Sequence, residues 1–311
     1  MNIFELLNTN LNELLDMADK VRENNVGNII HIRSLLEISN ICLRNCEYCG
    51  LRCDNNNLKR YALSVQEIEA LGKKAFDIGY KTIVLQSGES LHYNVYEFAE
   101  MVAKLTDYGI VVTLSLGELP YEQLKVLKEA GAQRYLLKFE TADKALYEKL
   151  HKGYTLQRRL ECLSNIKNLG YQVGSGFLVG LPEENNASIV KNLKLLKEFE
   201  CDMAGIGVFI PHQNTPLANC NCGSAEITKK CVAITRLLLP KCNIPITTSL
   251  GEFDGGYQMF NGGANVIMQN ITPHQFSKEY QIYPKQIKQV DMQSDWQKLT
   301  SDIKAMEKIP V

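Results

Sequence analysis

A chain of 311 residues, 45% of them apolar, can bury a large core, and its length suits one α/β barrel. A formal net charge of −1 argues against a broad basic surface and so against nucleic acid as a partner. No apolar run reaches the roughly 18 residues of a membrane span, and the acidic start lacks the basic and apolar regions of a secretory signal. These features predict a cytoplasmic protein, where thiols stay reduced and clustered cysteines point to metal or catalysis rather than disulfides.

MNIFELLNTNLNELLDMADK reads as one amphipathic helix, part of a helical cladding over 1–29. HIRSLLEIS (31–39) is the first of eight short, apolar, β-branched runs. The others are 82–88, 111–117, 134–140, 171–180, 203–210, 243–249 and 264–270. Helical periods separate most of them, as in 64–79, where Ser64 and Glu67 spell a capping box and Gly79 a stop. Eight strand–helix alternations in this length predict a (β/α)8 TIM-type barrel over 30–284. Residues 285–311 read as a polar, helical tail.

The strands carry more polar residues than a purely structural barrel needs, since such a lumen is filled by branched apolar side chains. Arg33 and Glu37 lie on strand one, Gln86 on strand two, Thr113 and Ser115 on strand three. Arg134, Lys138 and Glu140 share one face of strand four, and strand seven offers Thr247 and Thr248. Unpaired buried charge is costly, so this set predicts a lumen that takes a charged or polar ligand.

Four cysteines crowd the stretch ISNICLRNCEYCGLRC (38–53), directly after strand one, at the barrel end where active sites lie. Cys42, Cys46 and Cys49 form C-x3-C-x2-C. Three thiolates on one loop can hold three irons of a [4Fe–4S] cube, leaving the fourth iron open. Two alternatives stay open at this point, both using Cys53 as a fourth ligand: a structural zinc and a non-catalytic iron–sulfur electron carrier. Cys220, Cys222, Cys231 and Cys242 offer thiols for an auxiliary metal. His92, His212 and His274 read equally as polar site residues or as surface residues.

The cysteine spacing, with Tyr48 just before the third cysteine, resembles that of radical S-adenosylmethionine (radical SAM) enzymes. The resemblance implies a [4Fe–4S] cluster on Cys42, Cys46 and Cys49, and SAM bound to the open iron and cleaved to a 5′-deoxyadenosyl radical. It implies a SAM site built from Tyr48, Gln86, the SGE stretch Ser87, Gly88 and Glu89, Ser115, Glu140 and Arg159, with Arg158 as an alternative to Arg159. GSGFLVGLPEE (174–184) resembles the strand that lines the adenine pocket.

Longer strings narrow the resemblance. C42xxxCxYCGLRxDNxNLKRY61, TIVLQSGE (82–89), RYLLKFETA (134–142), DMAGIGVFIPHQNTPLAN (202–219) and GANVIMQNITP (263–273) are similar to the HydE family of [FeFe]-hydrogenase maturases, over roughly 30–284. That likeness implies assembly of the diiron subsite, with an iron carbonyl cyanide cysteine complex or another small sulfur-bearing substrate. It implies HydG and HydF as partner maturases and a ferredoxin or flavodoxin as electron donor. It assigns substrate contacts to Arg33, Thr113, Arg134, Lys138, Thr247 and Thr248, and catalytic positions to Met203, Tyr280 and Tyr283. The barrel and the cysteine spacing are shared with methylornithine synthase and biotin synthase, which leaves an amino acid or another sulfur compound as the alternative substrate. The tail over 285–311 lacks the cysteines that hold a second cluster in some of the family.

Overall fold

The computed structural model describes residues 2–90, 92–254, 256–285 and 289–311. Among the described residues nine strands follow in chain order: β1 Ile29–Ser39, β2 Thr82–Ser87, β3 Val111–Ser115, β4 Arg134–Leu136, β5 Gln172–Val179, β6 Met203–Val208, β7 Pro245–Ile246, β8 Val266–Asn270 and β9 Ile309–Pro310. The first helices are α1 Ile3–Asn8, α2 Leu11–Val26, α3 Val65–Ile78, α4 Val95–Asp107, α5 Tyr121–Glu129 and α6 Lys144–Leu150. The remainder are α7 Leu156–Asn168, α8 Asn186–Glu198, α9 Ala225–Leu238, α10 Thr248–Asp254, α11 His274–Ser277 and α12 Met292–Ala305.

All strand pairs are parallel, in the order β6-β5-β4-β3-β2-β1-β8-β7. Helices coat the outside, so the outward faces of the strands are apolar, while the inward faces of β1, β2 and β3 carry polar residues around a cavity. The α/β barrel expected from eight strand–helix units is present. Its seam lies between β6 and β7. One backbone bridge, Met203 to Asn243, spans it. The Thr247 hydroxyl donates to the Ile206 carbonyl at 2.9 Å, and the Val208 N–H donates to Ser249 Oγ at 3.1 Å. Side-chain oxygens thus stand in where the β7 backbone leaves the ladder.

Three differences from the sequence reading have local causes. The N-terminal helix is two helices, because Asn10 ends the first pattern and caps the second, its side chain accepting from the Asn12 N–H. The seventh strand is two residues long and Thr248 already begins α10. The fourth stops at Leu136, although the Glu140 N–H and C=O still bond to β5. Glu140 has φ +63°, a left-handed conformation that costs a non-glycine residue roughly 1 kcal/mol or more and is held by those flanking bonds. After α12, the chain end runs parallel to the start of β1 as β9. The capping box of α3 is present in both halves.

Candidate active site

The lumen holds a cavity of about 530 Å³. Along β1 the side chains of Arg33, Leu35 and Glu37 face it, two residues apart as alternation requires. Gln86, Ser87, Thr113, Ser115, Lys138 and Glu140 line it from β2, β3 and the end of β4. Tyr48, Arg159, Met203, Thr247, Thr248 and Tyr283 complete the expected residues on its wall.

Several expected residues stand elsewhere. Arg134 does not line the cavity; its Nε donates to Gln172 at 2.7 Å. As the first residue of β4 it sits at the N-terminal end of the strand, away from the cysteine loop. Tyr280 is buried behind the lumen wall, its hydroxyl without a hydrogen-bond partner among the described residues. Burial, with Glu37, Tyr61, Cys49 and Cys42 near it, drives its phenol far above the usual range. Thr247 spends its proton on the barrel seam. The Tyr283 hydroxyl shares a hydrogen bond with the Thr248 side chain.

Arg33 is the most exposed to electrostatic penalty. It is 6% accessible, its Nη1 points at the Met203 sulfur at 3.1 Å, and its Nε has no partner. Burial, then the neighbouring Arg134 charge, pulls its pKa down to about 9. Glu37 is answered by Lys285 at 2.5 Å, but burial still raises its pKa. Lys138 is answered by Glu140 at 3.0 Å, which leaves Arg33 as the lumen cation without a carboxylate partner among the described residues and suits that point to an anionic group.

The loop over 42–53 is fixed by its backbone. Leu43 N–H donates to Glu89 O, Glu47 N–H to Leu150 O, Gly50 N–H to Ile282 O and Cys53 N–H to Arg44 O, all at 2.8–2.9 Å. Gly88 packs against it so closely that a Cβ would lie 2.4 Å from the Ile41 carbonyl and 2.8 Å from Cys42 Cβ. Burial is the main cause that raises all three thiols, Cys46 to about 12. Among the described residues no three His, Cys, Asp or Glu side chains converge where one metal ion could sit. A [4Fe–4S] cube gives each thiolate its own iron and so fits three separated thiols on one loop. Cys53 is exposed, its thiol beside Asp54. His212 is spent on a turn, accepting from the Asn214 and Thr215 N–H groups.

Sequence reasoning missed the ionic frame behind this loop. Arg44 pairs with Glu89 and, at 2.7 Å, with Glu118, and its guanidinium lies 3.3 Å above the Tyr154 ring. Glu89, expected at SAM, also braces this frame, for its other oxygen accepts the Glu118 N–H at 2.9 Å. Gly117 must be glycine here: its φ is +81° and a Cβ would lie 2.5 Å from Glu89. Arg159 Nε is 2.9 Å from Glu118 and donates to the Tyr147 hydroxyl at 3.0 Å. Burial opposes the Arg159 charge, but Tyr147, Glu118 and Glu89 outweigh it and hold its pKa above the ordinary range.

Tyr147 belongs to a second chain of bonds. His151 Nδ1 lies 2.9 Å from the Tyr147 carbonyl and Nε2 2.8 Å from the Tyr48 hydroxyl. A carbonyl only accepts, so Nδ1 carries the proton and Nε2 accepts from Tyr48. Burial lowers the His151 pKa to about 3, so the ring is neutral at physiological pH. An unfolded imidazole takes a proton near pH 6.5 while the folded one does not. His151 therefore contributes stability above pH 6.5 that is lost as pH falls toward 3. His151→Gln is expected to flatten the urea midpoint against pH between 6.5 and 4; an unchanged slope would contradict this.

The Radical SAM superfamily family matches residues 36–214, more than half of the chain. The chain belongs to the radical SAM superfamily. A [4Fe–4S] cluster and SAM are accordingly its cofactors, and Cys42, Cys46 and Cys49 supply the three-thiol donor set that such a cluster fits. Among radical SAM relatives, the [FeFe] hydrogenase maturase subunit HydE of Thermotoga maritima is 48% identical over 276 residues, 88% of this chain and 79% of the relative. That likeness groups this radical SAM chain with HydE. The 3-methylornithine synthase of Methanosarcina acetivorans is 32% identical, over 83% and 74% of the two chains. Among solved radical SAM folds, methylornithine synthase (PylB) superposes with a TM-score of 0.86 at 27% identity, covering 99% of this chain and 93% of that one. HydG, at 22% identity, shares the fold with a TM-score of 0.81 over 98% of this chain and 71% of its own.

Proposed function

We propose that this radical SAM enzyme acts in assembly of the [FeFe]-hydrogenase diiron subsite, as HydE does. The observation that carries the reading is the 48% identity to HydE across 88% of the chain. When bound, the cluster and SAM together supply one-electron cleavage of the sulfonium and a 5′-deoxyadenosyl radical. The chain's own residues bind and orient. Arg159 offers its free Nη edge to the SAM carboxylate. Glu140, in its strained position, and Gln86, Ser87 and Ser115 receive the polar atoms of SAM along the cavity wall. Tyr48, with its proton held by His151, packs beside the third thiol and keeps water from it.

Below them Arg33, Thr113 and Thr248, with Lys138 beside its partner Glu140, present donors to an anionic substrate, here an iron carbonyl cyanide complex held by cysteine. Met203 and Tyr283 stand at the same wall. The partners on this reading are the HydG and HydF maturases, with a ferredoxin or flavodoxin as reductant in the reducing cytoplasm. No helix is long and apolar enough to cross a membrane, among the described residues.

The test is anaerobic reduction of the holoprotein with SAM and the iron–cysteine complex, followed by mass spectrometry of adenosyl products. A sulfur-linked adenosyl product is expected. The near-complete superposition on methylornithine synthase favours a second reading, rearrangement of an amino acid. Free 5′-deoxyadenosine with an isomerised amino acid, and no adduct from the iron complex, would replace the first reading with the second.

A further inference from the structure

The Glu118 carboxylate is 4% exposed and has guanidinium groups on three sides. Oε2 meets Arg44 Nη2 at 2.7 Å and Arg158 Nε at 3.3 Å, while Oε1 meets Arg159 Nε at 2.9 Å. These ion pairs are not aligned as hydrogen bonds. Arg44 belongs to the cysteine loop, two residues after Cys42 and two before Cys46. Arg159 lines the lumen from α7. One buried carboxylate from the loop after β3 therefore touches both the loop that carries the thiols and the guanidinium facing the cavity.

The Arg159 plane is fixed on one edge only. Its Nε serves Glu118 and the Tyr147 hydroxyl, and neither Nη has a protein partner among the described residues. A guanidinium is a rigid fork, so holding Nε in place aims the two Nη groups. Arg159 is 8% accessible, and a buried guanidinium with no counter-ion would be costly. Glu118 supplies that counter-charge without occupying the Nη edge. Arg44 in turn keeps Glu118 from swinging onto that edge, stacked as it is on Tyr154 and pinned by Glu89.

We propose that Glu118 is a positioning residue that aims the Arg159 fork at the SAM carboxylate and locks its position to that of the cysteine loop through Arg44. The proposal rests on the reading that Arg159 binds SAM. It makes Glu118 matter for SAM binding and not for holding iron, because the loop has its own backbone bonds.

The experiment compares Glu118→Gln, Glu118→Asp and Arg159→Ala as anaerobically reconstituted holoproteins. Iron content, SAM dissociation constant, KM and kcat for SAM cleavage, and the shift of the reduced-cluster EPR signal on adding SAM are read on each. Glu118→Gln is expected to keep its iron, to bind SAM about 10- to 100-fold more weakly, and to raise KM with little change in kcat. The EPR shift should then need correspondingly more SAM to appear. Glu118→Asp, which keeps the charge, is expected to lose less, and serves if Glu118→Gln does not fold. The double variant with Arg159→Ala should be no worse than Arg159→Ala alone.

SAM affinity within twofold of the parent in Glu118→Gln, with a clear loss in Arg159→Ala, would overturn the proposal while sparing the role of Arg159. Parental affinity in Arg159→Ala would remove both. Loss of iron in Glu118→Gln, or equal losses in Gln and Asp, would make Glu118 a prop for the loop and overturn the proposal as well.

Discussion

Cys46→Ala protein reconstituted under argon with iron and sulfide is expected to lose the cluster and to cleave SAM at least roughly 10³-fold more slowly than the parent, about 4 kcal/mol of barrier. Its circular dichroism should not change, because the loop is held by backbone hydrogen bonds, none of which uses the Cys46 sulfur. Cys42→Ala and Cys49→Ala should lose the cluster and SAM cleavage alike, since each thiol would hold one corner. Cys53→Ala should retain its iron, for that thiol is exposed while Cys42, Cys46 and Cys49 are half-buried. A four-thiolate electron carrier predicts the reverse for Cys53. Thiol protons must leave before iron binds, and burial raises all three thiols, Cys46 to about 12. Reconstitution should therefore quicken as pH rises from 7 to 9.

Arg33→Met is expected to stabilise the protein and to abolish its work on substrate. The buried guanidinium has no carboxylate partner among the described residues, and replacing such a charge with an apolar side chain of similar length removes a desolvation cost of a few kcal/mol. The melting temperature should rise by roughly 5 °C or more. Substrate-dependent turnover should fall at least about 100-fold, because a desolvated charge pair with an anionic substrate is worth some 2–5 kcal/mol.

The pH dependence has a definite sign. With a folded pKa of about 9 against an ordinary 12.5, Arg33 costs stability fully below pH 9, and the cost is relieved as pH climbs toward 12.5. The parent should gain relative to Arg33→Met over that window in denaturant midpoints. Equal stability and equal turnover in the two proteins would remove Arg33 from the site.

The barrel was legible because short, largely apolar and β-branched runs alternate with helical periods eight times along the chain. The polar lumen was legible where alternation holds, as along Arg33, Leu35 and Glu37. It misled at Arg134, because alternation gives the face of a strand but not the depth, and the first residue of β4 sits too low. Thr247 and Thr248 show the opposite limit, for the strand that should carry them ends at Ile246 and a hydroxyl closes the seam instead. The frame of Arg44, Glu89, Glu118 and Arg159 left no periodic trace. It joins residues 29 to 74 positions apart whose charges look, in the sequence, like any other loop charges. His151 was missed for the same reason: its value lies in a neutral ring between Tyr147 and Tyr48, which only the fold brings together.

Mössbauer spectroscopy of ⁵⁷Fe-reconstituted holoprotein, with and without SAM, tests the central claim most directly. Three irons unaffected by SAM and a fourth whose isomer shift moves when SAM is added are the predicted result. Four irons that all ignore SAM, each with thiolate parameters, would contradict it.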